Sequence, residues 1–451
     1  MEIGRFFYYV ANSFGPFILL NVICIILYLF IFKKYIYSVF DPFLLYTLSS
    51  ASSAAVVFFM HNKGLIANHY FMSFILTEMA FIAGFFTMRP VKFGRIVSTS
   101  FKPYSYYFSN SDFIVILYFL SSFLYIISQL IVYKLVGIPL LMESRWAVFS
   151  GGSGIGLLSR VIDVTLYVTI FLLLYRFFYV QRKNLLIRLY DFFIFVFIII
   201  TSFLSGSRMT FLSIVFIAFF IDIFLRRLRF DKKMLVNKKI KNYQFIIFLL
   251  ALLAAIGVII IQVKVAYGTV KINPISALLI RFVKFGDVYM LAYPNDVLTH
   301  LKWANSFLAL FKDLLGFFRI IPWDKLPEAF GFQIYHYIYN TGVITGPTPR
   351  FNVFGLFYFG FYGSVIYSYC IGLTVSFFRN KFYFVVFPNI LGGIIYTLFS
   401  INSLVFILDA AVAIRNFFNI FLVLPALILI AYVVSYSVKQ VKVRYKYSSE
   451  K

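Results

Sequence analysis

The chain has 451 residues, of which 62% are hydrophobic and 22% aromatic while only 13% are charged, and its mean hydropathy is +0.91. That composition excludes a soluble globular domain, which would aggregate, and places the chain among all-α polytopic membrane proteins. The formal net charge of +25 does not point to nucleic acid, because the basic residues fall mostly in the gaps between apolar runs, where they fix orientation and meet membrane lipids.

The first apolar run, 16–32, follows a weakly charged start (Glu2, Arg5) and ends in Lys33 and Lys34 with no small-residue cleavage site, so it reads as a retained helix and not a signal peptide. Runs long enough to cross a hydrocarbon core follow at 43–60, 70–87, 113–134, 157–176, 189–204, 209–225 and 243–262. Three more come at 352–377, 383–400 and 415–436, giving about eleven transmembrane helices. The organisation expected is eight helices in 1–262, one large extracytoplasmic loop with short helices in 263–350, and three helices with a basic cytoplasmic tail in 351–451.

The connections alternate in charge. One set carries Lys33 and Lys34, then Arg89, Lys92, Arg95 and Lys102, then Arg176, Arg182, Lys183 and Arg188. It continues with the dense basic run in 226–241, with Arg379 and Lys381, and with the tail from Lys439. The positive-inside rule makes that set cytoplasmic, with the N-terminus outside and the C-terminus inside. The long interval 263–350 belongs to the outer set, and long outer segments are largely exempt from the rule. Cys24 and Cys370 both lie in apolar runs, so neither a disulfide framework nor a thiolate metal site is implied.

Several outer residues could carry chemistry. Ser205-Gly206-Ser207-Arg208 is a short turn opening a helix, where backbone N–H groups, the helix dipole and Arg208 would favour an anion; a helix-end anchor is the plainer alternative. Glu143, Arg145 and Trp146 precede a glycine cluster in 151–156 that lacks the Lys-Ser/Thr of a P-loop; they are either solvated surface residues or an anion or sugar contact. In the long interval, Asn273-Pro274 is a plausible helix start that would put Arg281 and Lys284 on one face. Trp146, Trp303 and Trp323 all fall on the outer side, as an interfacial belt or as stacking platforms for sugars. His336 precedes a Gly-, Pro- and Thr-rich stretch ending at Arg350, and could act as a base near neutral pH. Within the spans, Glu78 reads as a buried partner for an arginine on another helix, or as a proton-coupled site in a transporter. Asp163 has Arg160 as a simple local partner. No zinc signature, P-loop, nucleophile elbow or acidic Asp-x-Asp motif is present in the sequence, so neither a metal nor a cofactor is expected.

Ser205-Gly206-Ser207-Arg208, the outer stretch Thr345-Gly346-Pro347-Thr348-Pro349-Arg350, and the spaced glycines Gly355, Gly360 and Gly363 resemble the bacterial O-antigen or oligosaccharide repeat-unit polymerases, the Wzy family. The layout of many spans with one large outer loop in the second half is also similar. The Arg145 to Gly156 interval matches an arginine-to-glycine spacing found in some members, whereas Arg319 to Gly331 misses it by one residue. The resemblance implies glycosyl transfer between undecaprenyl-pyrophosphate-linked glycan substrates at the periplasmic face of the inner membrane, with a chain-length regulator as an expected partner. On that reading Arg208, Arg281, Arg350 and Arg145 would bind pyrophosphate, His336 or Glu143 would take the acceptor proton, and Trp146, Trp303 and Trp323 would hold sugar. An O-antigen ligase or a transporter of lipid-linked oligosaccharide are the alternatives.

Overall fold

The computed structural model describes residues 3–91, 111–141, 155–179, 184–205, 208–228, 284–340 and 345–449, and every element among them is helical. The first eight helices are α1 (Ile3–Asn12), α2 (Phe14–Phe32), α3 (Pro42–Asn62), α4 (Asn68–Phe86), α5 (Ser111–Val136), α6 (Gly156–Tyr179), α7 (Leu185–Leu204) and α8 (Arg208–Leu228). The later ones are α9 (Asp287–Ala292), α10 (Ser306–Phe317), α11 (Phe330–Tyr339), α12 (Phe351–Ser376), α13 (Ile390–Leu404) and α14 (Ala410–Ser449). By length and composition, 9 helical stretches among the described residues could cross a membrane, and α8 adds a shorter apolar stretch, Thr210–Phe224. The described residues are all-helical, and the chain is of multi-pass membrane type. The expected span 243–262 lies outside the described residues.

The chain divides into two compact units. One comprises Met1–Val91, Ile259–Tyr383 and Phe399–Arg415; the other comprises Lys92–Val258, Phe384–Leu398 and Asn416–Lys451.

The first unit is built around α3. Asp41 caps this helix, accepting from the Phe43 N–H at 2.9 Å, and Pro42 occupies the first helical position, where a missing N–H costs nothing. Its middle reads Ser49-Ser50-Ala51-Ser52-Ser53-Ala54-Ala55, and all seven residues are buried. Side chains this small let neighbouring backbones approach, which is how helices gain contact in a lipid solvent that offers no hydrophobic drive between them. The same device joins α4 to α12. A Cβ on Gly84 would lie 2.1 Å from the Tyr369 carbonyl oxygen, and one on Gly372 would lie 2.2 Å from that of Phe81, so the two backbones cross where neither has a side chain.

α12 is not the single span that hydropathy predicts. At Gly360 the backbone leaves the helix (φ 69°, ψ −174°), and the chain folds back on itself. The Phe354 and Phe359 rings stand 5.8 and 5.0 Å from that of Tyr367, and Gly355 packs against Ser364. In a straight helix residues eight or nine apart would be separated by about 12 to 14 Å. α12 is therefore a helical hairpin, with a first leg, 351–359, too short to span a bilayer.

α9 is packed inside the unit, with Val288 to Ala292 all buried. Tyr289 meets Phe74 edge-on at 5.3 Å, and Tyr293 stacks on Tyr70 at 4.9 Å. A sharp turn follows, in which Asn295 and Asp296 both take left-handed φ values of 58° and 52°.

In the second unit α5 packs along α6, and hydroxyls tie α5 to α7: Tyr125 to Thr201 at 2.6 Å and Ser122 to Tyr190 at 2.7 Å. Arg176 pairs with Asp191 at 3.5 Å over the Tyr118 ring. Arg160 and Asp163, expected to pair locally, both meet Asn419: Arg160 donates to its Oδ1 at 2.5 Å, and its Nδ2 donates to Asp163 at 3.1 Å.

Candidate functional site

Within the first unit, a buried polar cluster forms where chain breaks meet the middle of α3. Arg350 immediately precedes α12 with a left-handed φ of 48°, a strained state for a residue with a Cβ, costing about 1–3 kcal/mol. Its own hydrogen bonds hold it there. The backbone N–H donates to the Leu408 carbonyl at 2.7 Å. The guanidinium donates through Nε to the Phe285 carbonyl at 3.2 Å, through Nη1 to Ser50 Oγ at 3.4 Å, and through Nη2 to the Ser49 carbonyl and hydroxyl at 3.1 and 2.6 Å. Arg350 is only 2% exposed. Its guanidinium, expected to bind pyrophosphate, is committed instead to acceptors of the protein, because the chain reversal drives it into the serine stripe of α3.

Glu78 lies beside this cradle. One of its carboxylate oxygens accepts from the Tyr28 hydroxyl at 2.9 Å and the other from Asn352 Nδ2 at 3.3 Å. Asn352 also donates to Thr77 Oγ1 at 3.0 Å and accepts from the Tyr289 hydroxyl at 2.6 Å. Arg350 is near enough to act on the Glu78 charge, without forming a direct ion pair. Glu78, foreseen as the partner of an arginine, is held instead by Tyr28 and Asn352, and Arg350 acts on it only electrostatically. A small pocket of about 10 Å³, room for about one water, opens between Tyr28, Tyr46, Thr47, Ser50 and Phe81.

A second group of the same unit is partly exposed and sits on short helices. His336 on α11 pairs through Nδ1 with Glu328 Oε1 at 3.0 Å; the side chains are 29% and 42% exposed. The Glu328 carboxylate beside Nδ1 fixes the orientation of the ring. α11 is anchored at its start. Phe330 packs on Phe357 and Phe354 of the first hairpin leg at 4.8 and 5.9 Å, and the Gly331 backbone lies against Pro347. The histidine is thereby mounted on the stretch that leads into Arg350. His300 stacks near Tyr337 at 5.9 Å. Trp303 is 63% and Trp323 49% exposed, the latter resting on Gly316.

Two groups escape notice in the sequence. Arg379 and Asp41 form a buried ion pair with Arg379 over the Tyr37 and Phe43 rings, and the Tyr37 hydroxyl donates to Asn380 at 2.7 Å. Burial pushes the Tyr37 phenol up to about 12, with Arg379 opposing. Asp409 caps α14, accepting from the Val412 N–H at 3.2 Å. Burial raises its carboxyl above the ordinary 3.8, while Val412, Lys312 and Arg415 favour the charged form. Each aspartate stands at the head of an apolar run, Asp41-Pro42 and Asp409-Ala410, which is the signature of an N-cap.

Glu143, Arg145, Trp146 and Arg281 lie outside the described residues, as do Gly206 and Ser207. Arg208 is the first residue of α8, and its side chain is likewise outside the description. The structure therefore brings together Glu78 and Arg350, and separately ties His336 to the Arg350 approach.

No protein-family model, no curated protein and no solved structure matches the chain.

Proposed function

We propose that this protein is a membrane glycosyltransferase that polymerises undecaprenyl-pyrophosphate-linked oligosaccharide repeat units at the periplasmic face of a bacterial inner membrane, with its N-terminus periplasmic and its C-terminus cytoplasmic. The observation that carries the reading is the half-exposed His336–Glu328 pair, at 3.0 Å, on a helix anchored to the α12 hairpin. In the proposed step Glu328 holds the imidazole through Nδ1–H, and Nε2 takes the proton of the acceptor sugar hydroxyl. That oxygen bonds to the donor's anomeric carbon as the bond from this carbon to the pyrophosphate oxygen breaks. The lipid pyrophosphate leaves as an anion, so what the reaction needs on that side is positive charge where the negative charge develops. Arg145, Arg208 and Arg281 are the cations proposed for this, and Glu143 is the alternative base. Trp303 and Trp323 offer exposed ring faces to sugars, with Trp146 proposed beside them. Arg350 is assigned a positioning role: its hydrogen bonds fix the loop that carries the site.

Deleting the gene and complementing it with wild type or His336→Gln tests the reading through the cell's glycolipids on a gel. Wild type should restore the polymer ladder and His336→Gln should leave one repeat on the acceptor; a full ladder from His336→Gln at wild-type protein levels would sink the assignment. Polymer accumulating on its lipid carrier would instead indicate a ligase. A transporter is the second reading, favoured by the buried Glu78 cluster at an interrupted helix, the setting in which transporters place substrate and ion sites. Loss of every periplasmic intermediate on deletion would select it.

A further inference from the structure

Glu78 stands in the middle of α4 and is only 7% exposed. Both groups that hold its carboxylate are neutral donors, the Tyr28 hydroxyl at 2.9 Å and Asn352 Nδ2 at 3.3 Å. The Arg350 guanidinium acts on it without touching it, because its hydrogen bonds go to Phe285, Ser49 and Ser50. A buried carboxylate with no cation in contact escapes the cost of its charge by taking up a proton. The two donors suit the charged form and the apolar surroundings of Phe74 and Phe81 suit the neutral one.

A proton on Glu78 needs an acceptor, and the two partners differ in what they can give. Asn352 is fixed at both ends of its amide, which donates to Thr77 Oγ1 at 3.0 Å and accepts from the Tyr289 hydroxyl at 2.6 Å. The Tyr28 hydroxyl has one hydrogen bond among the described residues, the one to Glu78. Tyr28 also lines the cavity of about 10 Å³, with Tyr46, Thr47 and Ser50 of α3. That cavity has room for about one water. Ser50 in turn accepts from Arg350 Nη1 at 3.4 Å, so the cavity lies between the residue that holds Glu78 and one that holds Arg350.

We propose that Glu78 is a reversible proton-binding site at which the Tyr28 phenol changes partner, donating to the carboxylate when Glu78 is charged and into the cavity when Glu78 carries a proton. A hydronium ion of the solvent gives up the proton and leaves as water. The new O–H of Glu78 donates to the Tyr28 oxygen, and the Tyr28 O–H, which keeps its own proton, turns to the water or to Ser50. The other titratable or charged groups facing this pair are Cys24 of α2, Tyr46 of α3, Tyr289 and Tyr293 of α9, and Arg350. Uptake of a proton removes the negative charge on which Arg350 acts, so it is felt at the head of the α12 hairpin. The proposal does not rest on the glycosyltransferase reading, in which Glu78 and Tyr28 take no part.

Infrared difference spectroscopy of the purified full-length protein in nanodiscs tests this, as pH is lowered over the range in which circular dichroism shows it folded. A carboxylic C=O band should grow in, move when glutamate is isotope-labelled at its carboxyl carbon, and be absent from Glu78→Gln. Glu78→Asp, which keeps an acid but not the label, replaces that variant if it does not fold. Tyr28→Phe should shift the frequency of the band, because the proton on Glu78 loses its acceptor. A labelled band that persists in Glu78→Gln or Glu78→Asp overturns the proposal. So does a Glu78 band that does not change with pH, the lack of any such band, or a titrating band that Tyr28→Phe leaves at the wild-type frequency.

Discussion

Arg350 Nη2 donates to Ser49 Oγ at 2.6 Å, closing a link between residues 301 positions apart. The same guanidinium reaches the Phe285 carbonyl, which also accepts from the Ser53 hydroxyl at 2.6 Å. One side chain thus joins the central helix, the start of α9 and the head of the hairpin. A planar fork with donors on three nitrogens suits this junction, because its acceptors are two carbonyls and two hydroxyls in different directions.

Arg350→Ala should therefore act on the fold before it acts on any reaction. It strands buried acceptors and removes a cation that acts on Glu78, a loss on the order of 1–3 kcal/mol. Arg350→Lys should recover only part of this, because a single ammonium cannot reproduce the fork. Thermal unfolding in detergent measures it. Wild-type stability in Arg350→Ala together with lost activity would show that Arg350 binds substrate and does not hold the fold.

Gly360 offers a cleaner test of backbone geometry. A Cβ there would meet nothing within 4 Å, so Gly360→Ala adds no clash and only asks alanine to take φ 69° and ψ −174°. That region is nearly closed to residues with a side chain, at a cost of about 1–3 kcal/mol. Gly15→Ala, in α2 and equally uncrowded, should instead stabilise by up to about 1 kcal/mol through helix propensity. Opposite signs for one chemical change, read from melting temperatures, would establish the reversal; equal effects would argue for a continuous helix.

Asp409 should make stability depend on pH. Its folded-state carboxyl is raised above the 3.8 of an ordinary aspartate, so it binds its proton more tightly folded than unfolded. Its contribution is fully present below about 3.8 and is lost as pH rises through the higher folded value. Asp409→Asn keeps an N-capping acceptor without the charge. The variant should melt above wild type at neutral pH, and the gap should close as the solution is acidified towards 3.8. A gap that stays constant with pH would mean that ionisation of this carboxyl does not govern the difference.

The amino-acid sequence by itself determined that the protein is helical and of membrane type. Runs of about twenty apolar residues have one low-energy way to satisfy their backbone in lipid, and that is decided locally. The two caps that sequence reading missed are local in the same way, since Asp41-Pro42 and Asp409-Ala410 act on N–H groups within three residues. Even Glu78 could be singled out, since a carboxylate amid Phe74 and Phe81 demands partners wherever they come from.

Which partners, only the tertiary structure decided. Tyr28 and Asn352 reach Glu78 from 50 and 274 positions away, and Asp41 meets Arg379 across 338. Hydropathy reads 352–377 as one span because lipid and a neighbouring helix are equally apolar, so nothing in the run itself records that the chain turns back at Gly360. Charge counting puts Arg350 on an outer loop ready for an anion, whereas the fold carries it into a stripe of serines. Burial is a property of the assembled helices, and a cation's role, to hold the fold or to receive a ligand, is set by which acceptors those helices bring within hydrogen-bond reach.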